Sequence, residues 1–149
     1  KVFFGAIDGR LVALDMKTGQ QAWSVQVERW QEGFSLTAAP LYFDGMVARD
    51  PAKLEAAFLP QARLIGYRGD VLVVTPLAEW IQSTAVGAPR DPAQYRNELK
   101  SIRRVGKMAL VEAELYWPTR YYYDYLTLLE VAGVWKIVHK SWHEKPLDK

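Results

Sequence analysis

An acid and an imidazole on two strand-like runs are the side chains of this chain best suited to moving a proton. Asp124 lies in Tyr122-Tyr123-Asp124-Tyr125-Leu126-Thr127-Leu128, and His139 lies in Trp135-Lys136-Ile137-Val138-His139-Lys140. Both runs have strand character, and Ala132-Gly133 between them suits a two-residue hairpin turn. That turn predicts a register in which Leu128 faces Ile137, Leu126 faces His139, Asp124 faces Ser141 and Tyr122 faces His143, all eight on one side of a sheet. Asp124 and His139 are then diagonal neighbours, about 7–8 Å apart at the backbone, within reach of a hydrogen bond or a bridging ligand atom. At the bottom of an apolar pocket such a pair would form an acid/base couple, since burial and the opposite charge both alter proton affinity. The same two groups can also be read as a core hydrogen bond that fixes the sheet. A slip of one residue would separate them.

Other chemistries are harder to build. The chain has no cysteine, which removes disulfides, thiol nucleophiles and thiolate metal sites. His139 and His143 are four apart, but on a strand that spacing spans about 13 Å, too far for one zinc ion. No metal site is expected. No Gly-x-Ser-x-Gly elbow is present, and Gly5, Gly9 and Gly19 sit in turns, not before a helix, so neither a serine hydrolase nor a phosphate-binding loop is expected.

The elements that must hold Asp124 and His139 fall into two unlike pieces. Residues 1–38 begin as a β-meander: strands over Val2–Ile7, Leu11–Leu14 and Gln21–Val27, with Asp8-Gly9 and Thr18-Gly19 supplying turn chemistry. Residues 39–149 read as α+β. A short helix over Leu41–Ala48, with Thr37 as its cap, precedes a second helix opened by Asp50-Pro51 and running to about Phe58. Strands follow near Ala62–Tyr67 and Val71–Val74, then a third helix opened by Thr75-Pro76. Four long strands finish the chain: Tyr95–Val105, Met108–Tyr116, Arg120–Glu130 and Val134–His143. This order predicts a cone-shaped roll, a curved and mostly antiparallel sheet covered by three helices. Leu64, Trp80, Tyr122, Leu126, Ile137, Ser141 and His143 would then bind a ligand around Asp124 and His139.

The 149 residues suffice for one well-packed domain, half of them hydrophobic, with a formal net charge of +2. The basic residues are spread out, unlike the dense patch of a nucleic-acid binder, and no apolar run approaches the roughly 20 residues that cross a bilayer. A cytoplasmic location is the mild expectation. With no initiator methionine, the expectation is either a start inside a longer reading frame or a processed chain, and the two unlike pieces favour the first. Tyr121, Tyr123 and Tyr125 alternate onto the face opposite Asp124, an aromatic stripe that a second copy of the chain would cover in a homodimer.

Two family resemblances rest on particular residues. Tyr42-Phe43-Asp44-Gly45, the pattern Asp50-x-x-x-Leu54-x-x-x-Phe58-x-Pro60-x-Ala62-Arg63-Leu64 and the final hairpin resemble nuclear-transport-factor-2-like proteins, in particular the branch named for lumazine binding and the polyketide-cyclase-like members. The resemblance covers about the last 110 residues and implies a pocket for a small apolar or aromatic molecule. It also implies that any activity would be of isomerase, dehydratase or cyclase type. Separately, Ala13-x-Asp15-x-x-Thr18-Gly19-x-x-x-Trp23 and Gly33-Phe34-Ser35-Leu36-Thr37-Ala38-Ala39-Pro40 resemble one blade of a quinoprotein alcohol dehydrogenase propeller. One partial blade cannot make a propeller, so no quinone cofactor is expected, and an accessory role tied to quinoproteins is a further alternative. Relatives usually carry a longer first helix where Pro40 and the blade fragment stand here, and the fragment could replace the missing wall.

Overall fold

The computed structural model describes residues 1–5, 10–26 and 37–147. The expected Asp8-Gly9 turn and the Gly33–Leu36 stretch lie outside the described residues.

The chain opens with three antiparallel strands, β1 (Val2–Gly5), β2 (Arg10–Leu14) and β3 (Gln21–Gln26), in the order β1-β2-β3. The turn between β2 and β3 is built by Asp15, whose Oδ1 accepts from the backbone N–H groups of Lys17 and Thr18 at 2.9 and 3.0 Å. Gly19 follows at φ +70°, a conformation that side chains rarely adopt. Ala13 and Trp23 are buried in the same apolar cluster as Ala38, Ala39, Tyr42 and Phe43. The meander therefore shares its core with the first helix.

Helix α1 (Ala38–Ala48) starts three residues before the expected Leu41 and includes Pro40 in its first turn, where a missing N–H costs nothing. Thr37 holds the cap position, but its side chain makes no capping hydrogen bond, a correction to the expected role. Helix α2 (Pro51–Ala57) is capped as its sequence requires: Asp50 accepts from the N–H groups of Ala52 and Lys53. The helices meet at Gly45, where a Cβ would come within 2.7 Å of Leu54 Cδ2.

Strands β4 (Phe58–Arg68) and β5 (Val71–Pro76) follow, then α3 (Leu77–Thr84), a 3-10 turn at Pro92–Gln94, and β6 (Arg96–Val105), β7 (Met108–Trp117), β8 (Arg120–Val131) and β9 (Val134–Pro146). The six strands form one sheet in the order β5-β4-β9-β8-β7-β6, antiparallel except where β4 lies parallel to β9. The helices cover its inner face, where Phe58, Leu64, Val111, Leu126, Leu128 and Ile137 are buried with Leu54 of α2 in one core.

The β8–β9 hairpin carries one departure from the expected register. Val131 faces Val134 and Leu128 faces Ile137 as expected, but a bulge comes next, and Thr127 pairs with His139 while Val138 is left over. Every later pair is shifted by one: Leu126 faces Lys140, Asp124 faces Trp142 and Tyr122 faces Glu144. A bulge adds twist and bend as well as a residue, so the irregularity that curls the sheet also reverses the facing of the rest of β9.

Candidate functional site

Strand alternation lays out the inner face row by row. From β4 it receives Ala62, Leu64, Gly66 and Arg68; from β8, Tyr122, Asp124, Leu126 and Leu128; from the far end of β9, Lys140, Trp142 and Glu144. Above them α1 contributes Tyr42 and Met46, and α3 contributes Trp80 and Thr84, one helical turn apart. These elements enclose a cavity of about 150 Å³. Leu64, Trp80, Tyr122, Lys140 and Trp142 line it, with Trp117 closing one side.

Beneath the cavity lies a buried polar network. The Tyr42 hydroxyl donates to Asp124 Oδ2 at 2.7 Å, Lys140 Nζ lies 3.2 Å from the same oxygen, and Nζ also donates to the Tyr42 oxygen. Asp124 is fully buried and Lys140 is 7% exposed. Two charges removed from water are tolerable only when paired and hydrogen-bonded, and this arrangement does both. Burial, reinforced by the Asp124 carboxylate, holds the Tyr42 hydroxyl well above its ordinary pKa, so it stays a donor. Asp124 Oδ1 has no hydrogen-bond partner among the described residues. The ammonium also sits among three rings, 4.8 Å from the centroid of Tyr42, 5.6 Å from Trp80 and 5.7 Å from Trp142, a cation–π environment.

The position of Trp142 depends on Gly66. A Cβ at residue 66 would fall 2.5 Å from Trp142 Cδ2 and 2.7 Å from two further ring carbons, so the indole lies on bare backbone. At the outer end of the cavity stand Arg68, Arg90 and Glu144. Arg90 donates from Nη1 to the Met46 carbonyl and places its guanidinium carbon 5.0 Å from the Trp117 ring centroid and 5.9 Å from that of Tyr95. Burial first, and then the neighbouring Arg49 charge, lower the Arg90 pKa. Glu144 is paired with Arg120 at 3.2 Å.

Of the expected site residues, the structure brings Leu64, Trp80 and Tyr122 to the cavity wall. Leu126 and Ile137 share that face but are wholly buried in the packed core beside it. His139, Ser141 and His143 are corrected: the bulge turns all three to the other face of the sheet, opposite Thr127, Tyr125 and Tyr123. Asp124 does point inward, yet its partners are Tyr42 and Lys140 instead of His139. Sequence reasoning missed Lys140, Trp142, Glu144, Arg68, Arg90 and the function of Tyr42. A signal was present in β9, where Trp135 and Ile137 set one apolar phase and Trp142 the other; a phase change within a strand marks a bulge. Among the described residues no group of three His, Asp or Glu side chains could hold a metal ion. Nor is any helix among them long and apolar enough to cross a membrane.

A family described as "putative lumazine-binding" matches residues 35–143, most of the chain. The chain belongs to that family. Solved structures agree on the family's architecture here. A nuclear-transport-factor-2-like protein of unknown function from Shewanella baltica OS155 is similar at TM-score 0.71 and 22% identity, over 82% of this chain and 100% of that one. Another, from Silicibacter pomeroyi DSS-3, gives TM-score 0.67 and 23% identity over 72% and 90% of the two chains. A ketosteroid isomerase-like protein from Erwinia carotovora atroseptica SCRI1043 gives TM-score 0.57 and 19% identity, covering 75% of this chain and 92% of that one. At these identities the likeness shows the fold. The N-terminal segment matches different proteins: quinoprotein alcohol dehydrogenase PedH of Pseudomonas putida KT2440 is 48% identical over 44 residues, and quinohemoprotein alcohol dehydrogenase ADH IIB of Pseudomonas putida is 47% identical over 47. The chain spans about 7% of the length of each.

Proposed function

We propose that this domain binds a small planar molecule between α1, α3 and the inner face of the sheet. The observation that carries the reading is the wall: Trp80, Trp117, Tyr122 and Trp142 come from four different elements and surround a cavity of about 150 Å³. Trp117 and Tyr122 meet edge to face with centroids 5.4 Å apart, whereas Gly66 lets Trp142 lie back against β4. A cavity of roughly this size, ~150 Å³, has room for one benzene-sized ring. The family's name points to lumazine, a fused two-ring compound, which would fit with one ring inside and the other toward the outer end.

Binding is favoured over proton-transfer catalysis of the isomerase, dehydratase or cyclase kind. Asp124 and Tyr42 lie behind the cavity wall, and the polar group that fronts them, Lys140, is committed to both. His139, the expected second acid/base group, faces the other way. The quinoprotein-like segment serves in this reading as part of the domain's packing, through Trp23 and Ala13, and not as a cofactor platform. The tyrosine stripe of the outer face, with Tyr125 still 48% exposed, supports pairing with a second copy, which sedimentation equilibrium would test.

The test of the pocket is a two-dimensional NMR titration with benzamide and with lumazine. Either compound should shift the indole N–H signals of Trp80 and Trp142 saturably, and Gly66→Val, which pushes Trp142 into the space, should remove the response. If both compounds leave the two indoles unmoved, the cavity is not a ligand site.

A further inference from the structure

The geometry points to a narrower ligand class: a single aromatic ring bearing a carboxylate. This rests on the cavity being a ligand site and adds the sign of the ligand's charge, which the rings alone do not give.

The charges that line the cavity do not balance. Lys140 is neutralised by Asp124 at 3.2 Å, and Glu144 by Arg120 at 3.2 Å. Arg68 and Arg90 remain, and among the described residues neither has a carboxylate oxygen within 4.0 Å. Two lining guanidiniums with no carboxylate in contact, beside a single lining carboxylate already paired with Arg120, leave a net positive charge that an anionic ligand fills. Guanidinium groups are the donors best shaped for a carboxylate, because two parallel N–H groups match its two oxygens.

Position sets the orientation. Arg68 follows Leu64 and Gly66 along the inner face of β4 and is exposed, whereas Lys140 is buried at the opposite end. Arg90 lies over the Trp117 ring, so that its charge borders the aromatic wall. A ring inserted among Trp80, Tyr122 and Trp142 would therefore direct an attached carboxylate outward to Arg68 and Arg90. The cavity admits one ring of this kind. A carboxylate buried the other way round would meet the Lys140 ammonium, whose charge Asp124 already balances, so the unbalanced guanidiniums at the outer end are the stronger attraction.

Benzoate and benzamide decide the matter, being nearly equal in shape and different in charge. Calorimetric titrations near neutral pH and low ionic strength should show benzoate binding about tenfold more tightly, the scale of one charge-assisted hydrogen bond. Arg68→Gln, at an exposed position outside the core, should remove most of that preference, lowering benzoate affinity far more than benzamide affinity. Arg90→Gln should act in the same direction; if loss of its bond to the Met46 carbonyl unfolds the chain, Arg68→Gln still carries the test. Equal affinity for the two compounds, or an Arg68→Gln variant that weakens both alike, would overturn the charge assignment while the pocket survives. If neither compound binds, the pocket reading fails, and the carboxylate preference fails with it.

Discussion

The two faces of strand β8 are made from the same materials and behave differently. Inward, Tyr122 and Asp124 stand beside Tyr42 and Lys140; outward, Tyr121, Tyr123 and Tyr125 stand beside Glu112, Glu114, Lys100 and Arg103. Outside, each partner has alternatives. Tyr123 donates to Glu112 at 2.7 Å and Tyr121 to Glu114 at 2.9 Å, while Arg103 and Lys100 bridge to the same carboxylates from positions 58% and 43% exposed. Inside, one carboxylate oxygen takes both a phenol and an ammonium, and burial leaves water little access to replace either. Residue type therefore says little about the importance of a tyrosine–carboxylate–cation cluster; its distance from solvent decides.

The sharpest way to break this contrast is to remove the cation on each side. Lys140→Met leaves Asp124 buried without its counter-charge and should cost about 3–5 kcal/mol, the usual scale for half of a buried pair. Arg103→Met at the exposed Arg103–Glu112 pair should cost about 0–1 kcal/mol. Urea unfolding of both variants measures the difference. A companion variant, Lys140→Met with Asp124→Asn, should recover part of the loss, since no charge is then left buried. Equal costs on the two faces would mean that water reaches the floor of the cavity.

Gly66→Ala tests the inner face by shape instead of charge. The added methyl meets three ring carbons of Trp142 within 2.7 Å, and overpacking of this sort costs about 1–3 kcal/mol, more than an alanine recovers in strand entropy. The displaced indole has the cavity to move into, so ligand-induced shifts at Trp80 should vanish together with the lost stability. An outer-face control, Ser141→Ala, should change neither.

Most of the architecture was legible because local chemistry and global pattern agreed. Asp50-Pro51 announced α2 by a cap that the structure uses, and the four long strands fell within a few residues of their expected ends. The site was less legible, for two physical reasons. Turn chemistry fixes a hairpin register only as far as the first bulge, and the bulge at Val138 exchanged His139, Ser141 and His143 for Lys140, Trp142 and Glu144. The cavity also draws on residues distant in sequence: Tyr42 is 82 positions from Asp124 and 98 from Lys140, and no spacing rule connects them. A buried tyrosine on the core face of α1 did require an acceptor, and an inward aspartate required a donor. Matching those two needs would have paired them before any coordinates.

The smallest expected effect lies in alkaline solution. Burial, aided by the hydrogen bond to Glu114, raises the Tyr121 pKa from 10.0 to about 12. A tyrosine whose folded pKa exceeds its unfolded one holds its proton longer when folded, so its contribution is complete below pH 10 and is lost as pH rises toward 12. Tyr121→Phe removes that contribution. Wild type and variant should differ most in urea midpoint near pH 9, with wild type the more stable, and the gap should shrink steadily from pH 10 to 12. The inner tyrosine offers the contrast: Tyr42, held well above 10.0 mainly by burial, still has its full shift in Tyr121→Phe, so that variant should retain most of the alkaline loss of stability. Adding Tyr42→Phe should flatten the profile much more. If Tyr121→Phe alone flattened it, the outer face would govern the alkaline transition, and the ranking of the two faces by distance from water would be reversed.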